Sequence, residues 1–387
     1  MWIQRQYQDL IAESVLTRPA VLVTGARQTG KTSILAHMYP NYSFVSLDLP
    51  SMAELAENEP ERFLREFPPP VIIDEAQYAP KLFRHLKRFI DESRSKNGQF
   101  LLTGSQKFQL MNSVGDSLAG RIDIIELETL SQQEVLNSNR SLSLEKTMFR
   151  GGYPELHNNL ELRESRFFSG YVASYLERDV KGVLNVQNLR DFERFIRALA
   201  LRSGQLLNKA EVAKDIGISP TTANSWISVL EASGQITLLE PWFGNKTKQM
   251  VKSPKLYFND TGLLIFLLGI RSEEAMLDSP YLGAIWETFV FSEIRKRDLH
   301  RDGSWNWNFY RDKTREIDFI RDEGGVFTLL ECKWTESPSR KDIKHLEYFR
   351  ENIADGKVAR SFVVSRPSNR FPLSDSVEAV SLCDLPS

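Results

Sequence analysis

The first 130 residues alternate short apolar runs with amphipathic stretches. Runs at Ala20–Thr24, Ser43–Asp48, Pro70–Asp74, Phe100–Thr103 and Arg121–Leu127 have the length of strands, and several are apolar enough to be buried on both faces. Between them the period changes, as in Lys81–Arg94, where Leu82, Phe83, Leu86, Phe89 and Ile90 recur at helical spacing. This alternation predicts an α/β fold with a mostly parallel sheet covered on both faces. Pro68-Pro69-Pro70 marks the start of the third strand. From about residue 131 to 203 the pattern turns helical, broken by Gly151-Gly152-Tyr153-Pro154, and reads as a lid or connector.

Residues 205–258 read as a winged helix-turn-helix. Asn208–Asp215 predicts a first helix, Gly217 a turn, and Ser219-Pro220 a cap opening a second helix that runs through Glu231. Gly234 stops it, and Ile236–Glu240 and Lys255–Phe258 would be wing strands. Trp226, Ile227 and Leu230 are expected in the core. The second helix would present Thr221, Thr222, Asn224 and Ser225 near its exposed N-terminus, as a DNA-reading helix does. Lys246, Lys248, Lys252 and Lys255, with no acid among them, form a candidate phosphate-contacting run. The alternative is a helical spacer that touches no nucleic acid.

The last third predicts a helix over Gly283–Arg297, strands over Arg315–Ile320 and Thr328–Trp334, a helix over Asp342–Ile353 and a strand over Arg360–Ser365, completing an αβββαβ core. The expected modules are therefore 1–130, 131–204, 205–260 and 261–387, since 387 residues exceed one ordinary core.

Composition narrows the class. Forty-nine basic residues nearly balance 51 acidic ones, so any nucleic-acid surface must be a local patch. No apolar run reaches the ~18–20 residues that cross a bilayer, so no membrane partner is expected. The N-terminus lacks the pattern of a secretory signal, and Cys332 and Cys383 make neither a disulfide framework nor a zinc site, so a cytoplasmic location is expected.

The strongest chemistry follows the first strand. Gly25-Ala26-Arg27-Gln28-Thr29-Gly30-Lys31-Thr32 has P-loop spacing: glycines let the backbone wrap phosphates, Lys31 reaches their oxygens and the Thr32 hydroxyl can ligate Mg²⁺. Gly25, Gln28, Thr29, Gly30, Lys31, Thr32 and Ser33 are the expected nucleoside-triphosphate contacts. Val71-Ile72-Ile73-Asp74-Glu75 has the Walker B pattern, with Asp74 holding Mg²⁺ and Glu75 orienting or deprotonating the attacking water. Leu101–Gln106 offers Thr103 or Ser105 as a γ-phosphate sensor. Arg121 reads either as a finger donated to a neighbouring subunit or as an ordinary surface ion-pair partner.

Thr24–Thr32, Ile73–Tyr78, Leu102–Ser105, Leu118–Arg121, Leu130–Val135, Gly151–Glu155, Tyr175–Asp179, Leu256–Leu263 and Gly283–Phe289 together resemble bacterial and archaeal AAA-type ATPases joined to a C-terminal restriction-endonuclease-like module. The resemblance implies an oligomeric, ring-forming ATPase linked to DNA transactions or defence, with adenine as the base. Asp318, Glu331 and Lys333 match the spacing of a PD-(D/E)XK nuclease, and Glu287 matches the helical acid that many members add. Carboxylates there would bind Mg²⁺ and the lysine would stabilise hydroxide and developing phosphorane charge. Glu331 and Lys333, two apart on a strand, could equally form a simple ion pair. Two functions stay open: a DNA-dependent motor with a nuclease-like module, or a non-motor nucleotide switch that binds protein partners.

Overall fold

The computed structural model describes residues 2–105, 117–139, 141–175, 189–244, 253–303 and 305–385. Five parallel strands, β1 (Ala20–Thr24), β2 (Ser43–Ser46), β3 (Val71–Asp74), β4 (Phe100–Gly104) and β5 (Ile122–Glu126), form the first sheet in the order β2-β3-β4-β1-β5. Each lies within two residues of its expected bounds. β3 begins one residue later than the run suggests, after Pro70, whose nitrogen has no hydrogen to give a ladder. Alternate residues serve opposite faces: Leu22, Ile73 and Leu102 pack with Leu82 and Leu86 of the helix Leu82–Glu92, while Val21, Val23, Ile72 and Leu101 pack with Ile11, Ile34 and Leu35.

This order inserts β4 between β1 and β3, so the ends of three strands converge on one edge. Just before the helix Tyr7–Thr17, Arg5 is 4% exposed and ties that edge together. Its Nη1 donates to the Thr29 carbonyl (2.8 Å), its Nη2 to the Glu128 carbonyl (2.7 Å), and its Nε to Glu134 Oε1 (3.1 Å). Arg5→Ala strands a buried carboxylate and two carbonyls, and should cost about 3–5 kcal/mol in urea unfolding at neutral pH. An unchanged midpoint would refute that role.

The middle region has the anticipated element order. Helix Lys209–Ile216 is capped by Asn208, Gly217 turns the chain, and helix Pro220–Ala232 is capped by Ser219. Strands β6 (Gln205–Leu206), β7 (Ile236–Leu239) and β8 (Lys255–Phe258) form an antiparallel sheet in the order β6-β8-β7. Trp226, Ile227 and Leu230 are buried, with Trp226 packed edge-on against Phe192 and Phe195.

The C-terminal sheet contains β9 (Trp307–Arg311), β10 (Glu316–Glu323), β11 (Val326–Cys332), β12 (Val358–Val364), β13 (Phe371–Pro372) and β14 (Glu378–Val380), in the order β13-β14-β12-β11-β10-β9. Helix Leu282–Asp302 precedes it and helix Lys344–Asn352 falls between β11 and β12. The first helix runs past the expected Arg297 because its second half has its own partners. Arg295 pairs with Glu126 (3.0 Å) and Glu128 (2.9 Å), Lys296 donates to the Leu130 carbonyl (2.9 Å), and Leu299 joins the apolar layer under the first sheet. One helix thus serves both the first and the last sheet. Among the described residues no helix is long and apolar enough to cross a membrane.

Candidate nucleotide site and acid cluster

The P-loop leaves β1 and closes at Gly30, the residue before helix Lys31–Met38. Gly25 has φ +137°, and a Cβ there would lie 2.2 Å from the Leu127 carbonyl oxygen, so the turn requires glycine. Lys31 is buried, and its Nζ donates to the carbonyls of Gly25 (3.2 Å) and Ala26 (2.8 Å). Gln28, Gly30, Lys31, Thr32, Ser33 and Glu75 line a cavity of about 480 Å³ together with Arg27, Tyr171 and Ser174. Thr29 is buried beneath, its hydroxyl donating to the Ala26 carbonyl (3.0 Å). A cradle that excludes a Cβ, with an ammonium and a helix N-terminus at its floor, has the donor chemistry that a triphosphate requires.

β3 delivers the two acids. Asp74 Oδ1 accepts from the Thr32 hydroxyl (2.5 Å) and the Thr103 hydroxyl (2.5 Å), and its Oδ2 accepts from Ser46 (3.1 Å). Thr103 in turn accepts the backbone N–H of Glu75 (3.2 Å). Glu75 sits in the left-handed region at φ +55°, unusual for a non-glycine residue. Its carboxylate accepts from Gln77 and from Ser105 (3.4 Å). Thr103 and Ser105 therefore take different places, one against each acid.

Arg121 lies just before β5, at the opposite end of the sheet, and makes a two-pronged pair with Asp91 (2.7 and 3.0 Å). Within the chain it behaves as the ion-pair partner that the sequence left open. In the middle region Thr221, Asn224 and Ser225 are exposed, while Thr222 is half-buried and shares a hydrogen bond with the Ser219 hydroxyl (2.8 Å). Lys246, Lys248 and Lys252 lie outside the described residues.

Glu287, Asp318 and the Glu331–Lys333 pair, drawn from three separate elements of the sequence, meet in the C-terminal module. The antiparallel register that pairs Phe319 with Leu330 brings Asp318 beside Glu331. Asp318 Oδ2 accepts the Cys332 backbone N–H (2.8 Å), and Lys333, one residue beyond β11, pairs with Glu331 Oε1 (2.7 Å). The structure corrects one expectation: Lys255 is not a phosphate-contacting surface lysine. It is 1% exposed and its Nζ lies 3.0 Å from Glu287, 3.4 Å from Asp318 and 2.5 Å from Glu316. Without those carboxylates its burial would be prohibitive. Tyr257, two residues along β8, donates its hydroxyl to Glu287 (2.5 Å).

Residues 17–136 match the family described as an AAA domain. Residues 141–274 and 282–385 match the domains of unknown function DUF8612 and DUF4143. The uncharacterized proteins Rv2008c of Mycobacterium tuberculosis and Mb2031c of Mycobacterium bovis are 32% identical to the chain over 366 residues, which cover 94% of this chain and 80% of each relative. The chain belongs to their family. The Walker-type ATPase PABY2304 of Pyrococcus abyssi aligns at 14% identity and a TM-score of 0.48, over 69% of this chain and 96% of that one.

The AAA domain of this family member carries an AAA-type P-loop ATPase fold. Several of its neighbours at the site were not legible as site residues: Arg5, Ser46, Gln77, Tyr171 and Gln235. Tyr171 of the helix Glu164–Tyr175 faces the cavity, and the Gln235 amide donates to its hydroxyl (2.9 Å). Gly234, at φ +70°, approaches the P-loop so closely that a Cβ would lie 3.3 Å from the Ala26 nitrogen. The one signal for Lys255 was a charge opening the apolar strand Leu256-Tyr257-Phe258, which a buried strand tolerates only with a partner.

Burial, with the negative charge of Asp318 beside it, pushes the Glu331 carboxyl up to about 8 from its ordinary 4.5. The folded state then retains a proton that the unfolded chain releases, so this group's stabilisation is present at low pH and lost as pH rises toward 8. Glu331→Gln should therefore gain stability relative to wild type, by about 1–2 kcal/mol between pH 5 and 9 in metal-free buffer. Parallel melting curves across that range would count against the assignment.

Proposed function

We propose that the protein binds and hydrolyses ATP at the P-loop cavity and couples that cycle to DNA bound by its middle and C-terminal regions. The observation that carries the reading is the chain of contacts Thr32–Asp74–Thr103–Glu75 at the mouth of that cavity. It joins both nucleotide motifs through the intervening strand. Lys31 would leave its loop carbonyls for the phosphate oxygens, and Gly30 would offer its backbone N–H. Thr32 and Asp74 present the oxygen ligands for Mg²⁺, which when bound would neutralise phosphate charge. Glu75, held by Gln77 and Ser105, would orient the attacking water, and Thr103 would relay the state of Asp74 to it.

DNA as partner is supported by the exposed Thr221 and Asn224 at the N-terminus of helix Pro220–Ala232 and by the convergence of Glu287, Asp318, Glu331 and Lys333. Thr222 would act through the cap it shares with Ser219. The lysine run at 246, 248 and 252 remains part of this proposal, as does ring assembly in which Arg121 exchanges Asp91 for a neighbour's nucleotide. A second reading, a nucleotide switch without motor action, is favoured by the middle region's contacts with the site, Tyr171–Gln235 and Gly234–Ala26.

ATPase rates measured with duplex, branched and single-stranded DNA separate the two. The first reading expects DNA to accelerate turnover, and Asp318→Ala to spare ATPase while abolishing Mg²⁺-dependent cleavage. Turnover indifferent to every DNA form, with assembly that follows nucleotide alone, would favour the switch.

A further inference from the structure

The acid cluster already contains a cation of the chain's own. Lys255 enters it from β8, a strand of the middle region, and its ammonium touches three carboxylates on two elements: Glu287 on the helix Leu282–Asp302, and Glu316 and Asp318 on β10. The other groups facing it are the Tyr257 hydroxyl, bonded to Glu287, and the Phe309 ring, whose centroid is 5.7 Å from Nζ. Gly204, just before β6, lies against the Glu287 carboxyl from the same side as the middle region.

Beside this occupied position, the cluster keeps one unused ligand. Glu331 is 7% exposed; its Oε1 pairs with Lys333, whereas its Oε2 is buried with no hydrogen-bond partner. A buried carboxyl oxygen left unpaired is costly, and once the group ionises that oxygen calls for a cation or a donor. As arranged in the structure, no group of three or more His, Cys, Asp or Glu among the described residues could hold a metal ion.

We infer that Lys255 is an internal plug: its ammonium fills the divalent-cation position of the acid cluster, and the cluster accepts a metal only when β8 withdraws it. This rests on the reading of Glu287, Asp318 and Glu331 as a metal site. β8 is well placed to be moved. It pairs with β7, and the start of β7 follows Gly234 and Gln235, which touch the P-loop and the Tyr171 hydroxyl. The hairpin β7–β8 therefore has one end at the nucleotide cavity and the other in the acid cluster.

The test is Mn²⁺ binding to the full chain without nucleotide, read as loss of the free-ion EPR signal. Wild type should bind no Mn²⁺ that Glu331→Gln removes. Lys255→Met should gain one equivalent, accompanied by a Mn²⁺-dependent rise in melting temperature, and Lys255→Met with Glu331→Gln should lose both. Removing a buried ammonium leaves its acids uncompensated, so Lys255→Met with Glu316→Gln is the second variant, with one carboxylate fewer. If wild type already binds Mn²⁺ at a site sensitive to Glu331→Gln, the plug is wrong while the metal-site reading stands. If folded Lys255 variants bind none, the metal-site reading fails and the plug with it.

Discussion

Lys31→Ala should abolish ATP turnover while leaving the fold intact. In the structure the Lys31 ammonium is buried at the base of the P-loop and rests on the carbonyls of Gly25 and Ala26. Those carbonyls are the loop's own acceptors, so alanine costs the fold two hydrogen bonds in a turn already held by Arg5 through Thr29. The phosphate site instead loses the buried ammonium at its floor, leaving Arg27 as the motif's other cation, in a cavity where that charge is less screened than in bulk water. Removing one preorganised donor of this kind lowers catalysis by at least about 100-fold. Steady-state phosphate release by the variant, compared with wild type at equal melting temperature, measures it. Unchanged turnover in a folded Lys31→Ala protein would remove the P-loop from the chemistry.

Glu75→Gln should separate binding from hydrolysis. Gln preserves the size of the side chain, and the backbone N–H contact to Thr103 is unaffected, so the unusual φ at this position remains supported. What is lost is the negative charge proposed to align water or accept its proton, a role that would be worth about 10²–10⁴-fold in rate. The variant should hold ATP with wild-type affinity, observed by fluorescent-nucleotide displacement, and release phosphate at that reduced rate. A Glu75→Gln protein that hydrolyses normally would assign the water to another group.

How much of this was legible in the sequence depends on where each residue's partners lie. The first sheet was readable because strands covered on both faces must be apolar at nearly every position, as Val21-Leu22-Val23 and Val71-Ile72-Ile73 are. The nucleotide motifs were readable because a phosphate turn fixes its residue types locally. The four residues of the C-terminal cluster were readable from their order and from the strand period, although their convergence required the β10–β11 register.

Lys255 shows the limit. In sequence it follows Lys246, Lys248 and Lys252, and local charge favours a solvated run. Its actual partners are 32 and 63 positions downstream, where the fold outweighs the local preference. Arg5 is equally opaque, with partners 24, 123 and 129 positions away. Arg121 admits two readings in sequence because Asp91, its partner in the fold, lies 30 residues earlier on the helix Leu82–Glu92.

The dual attachment of helix Leu282–Asp302 has the same origin. Its first half supplies Glu287 to the acid cluster and its second half supplies Arg295 to Glu126 and Glu128 beside the P-loop sheet. No periodicity along the helix distinguishes these two tasks. Together with the β7–β8 hairpin, this helix connects the P-loop module to the acid cluster.

The most direct test of the account is isothermal calorimetry of ATP with Mg²⁺ on the wild-type chain and on Lys31→Ala. Saturable binding of one nucleotide per chain is expected, lost or greatly weakened in the variant. A folded wild-type protein giving no heat with ATP or a slowly hydrolysed analogue, or giving the same isotherm without Lys31, would contradict it.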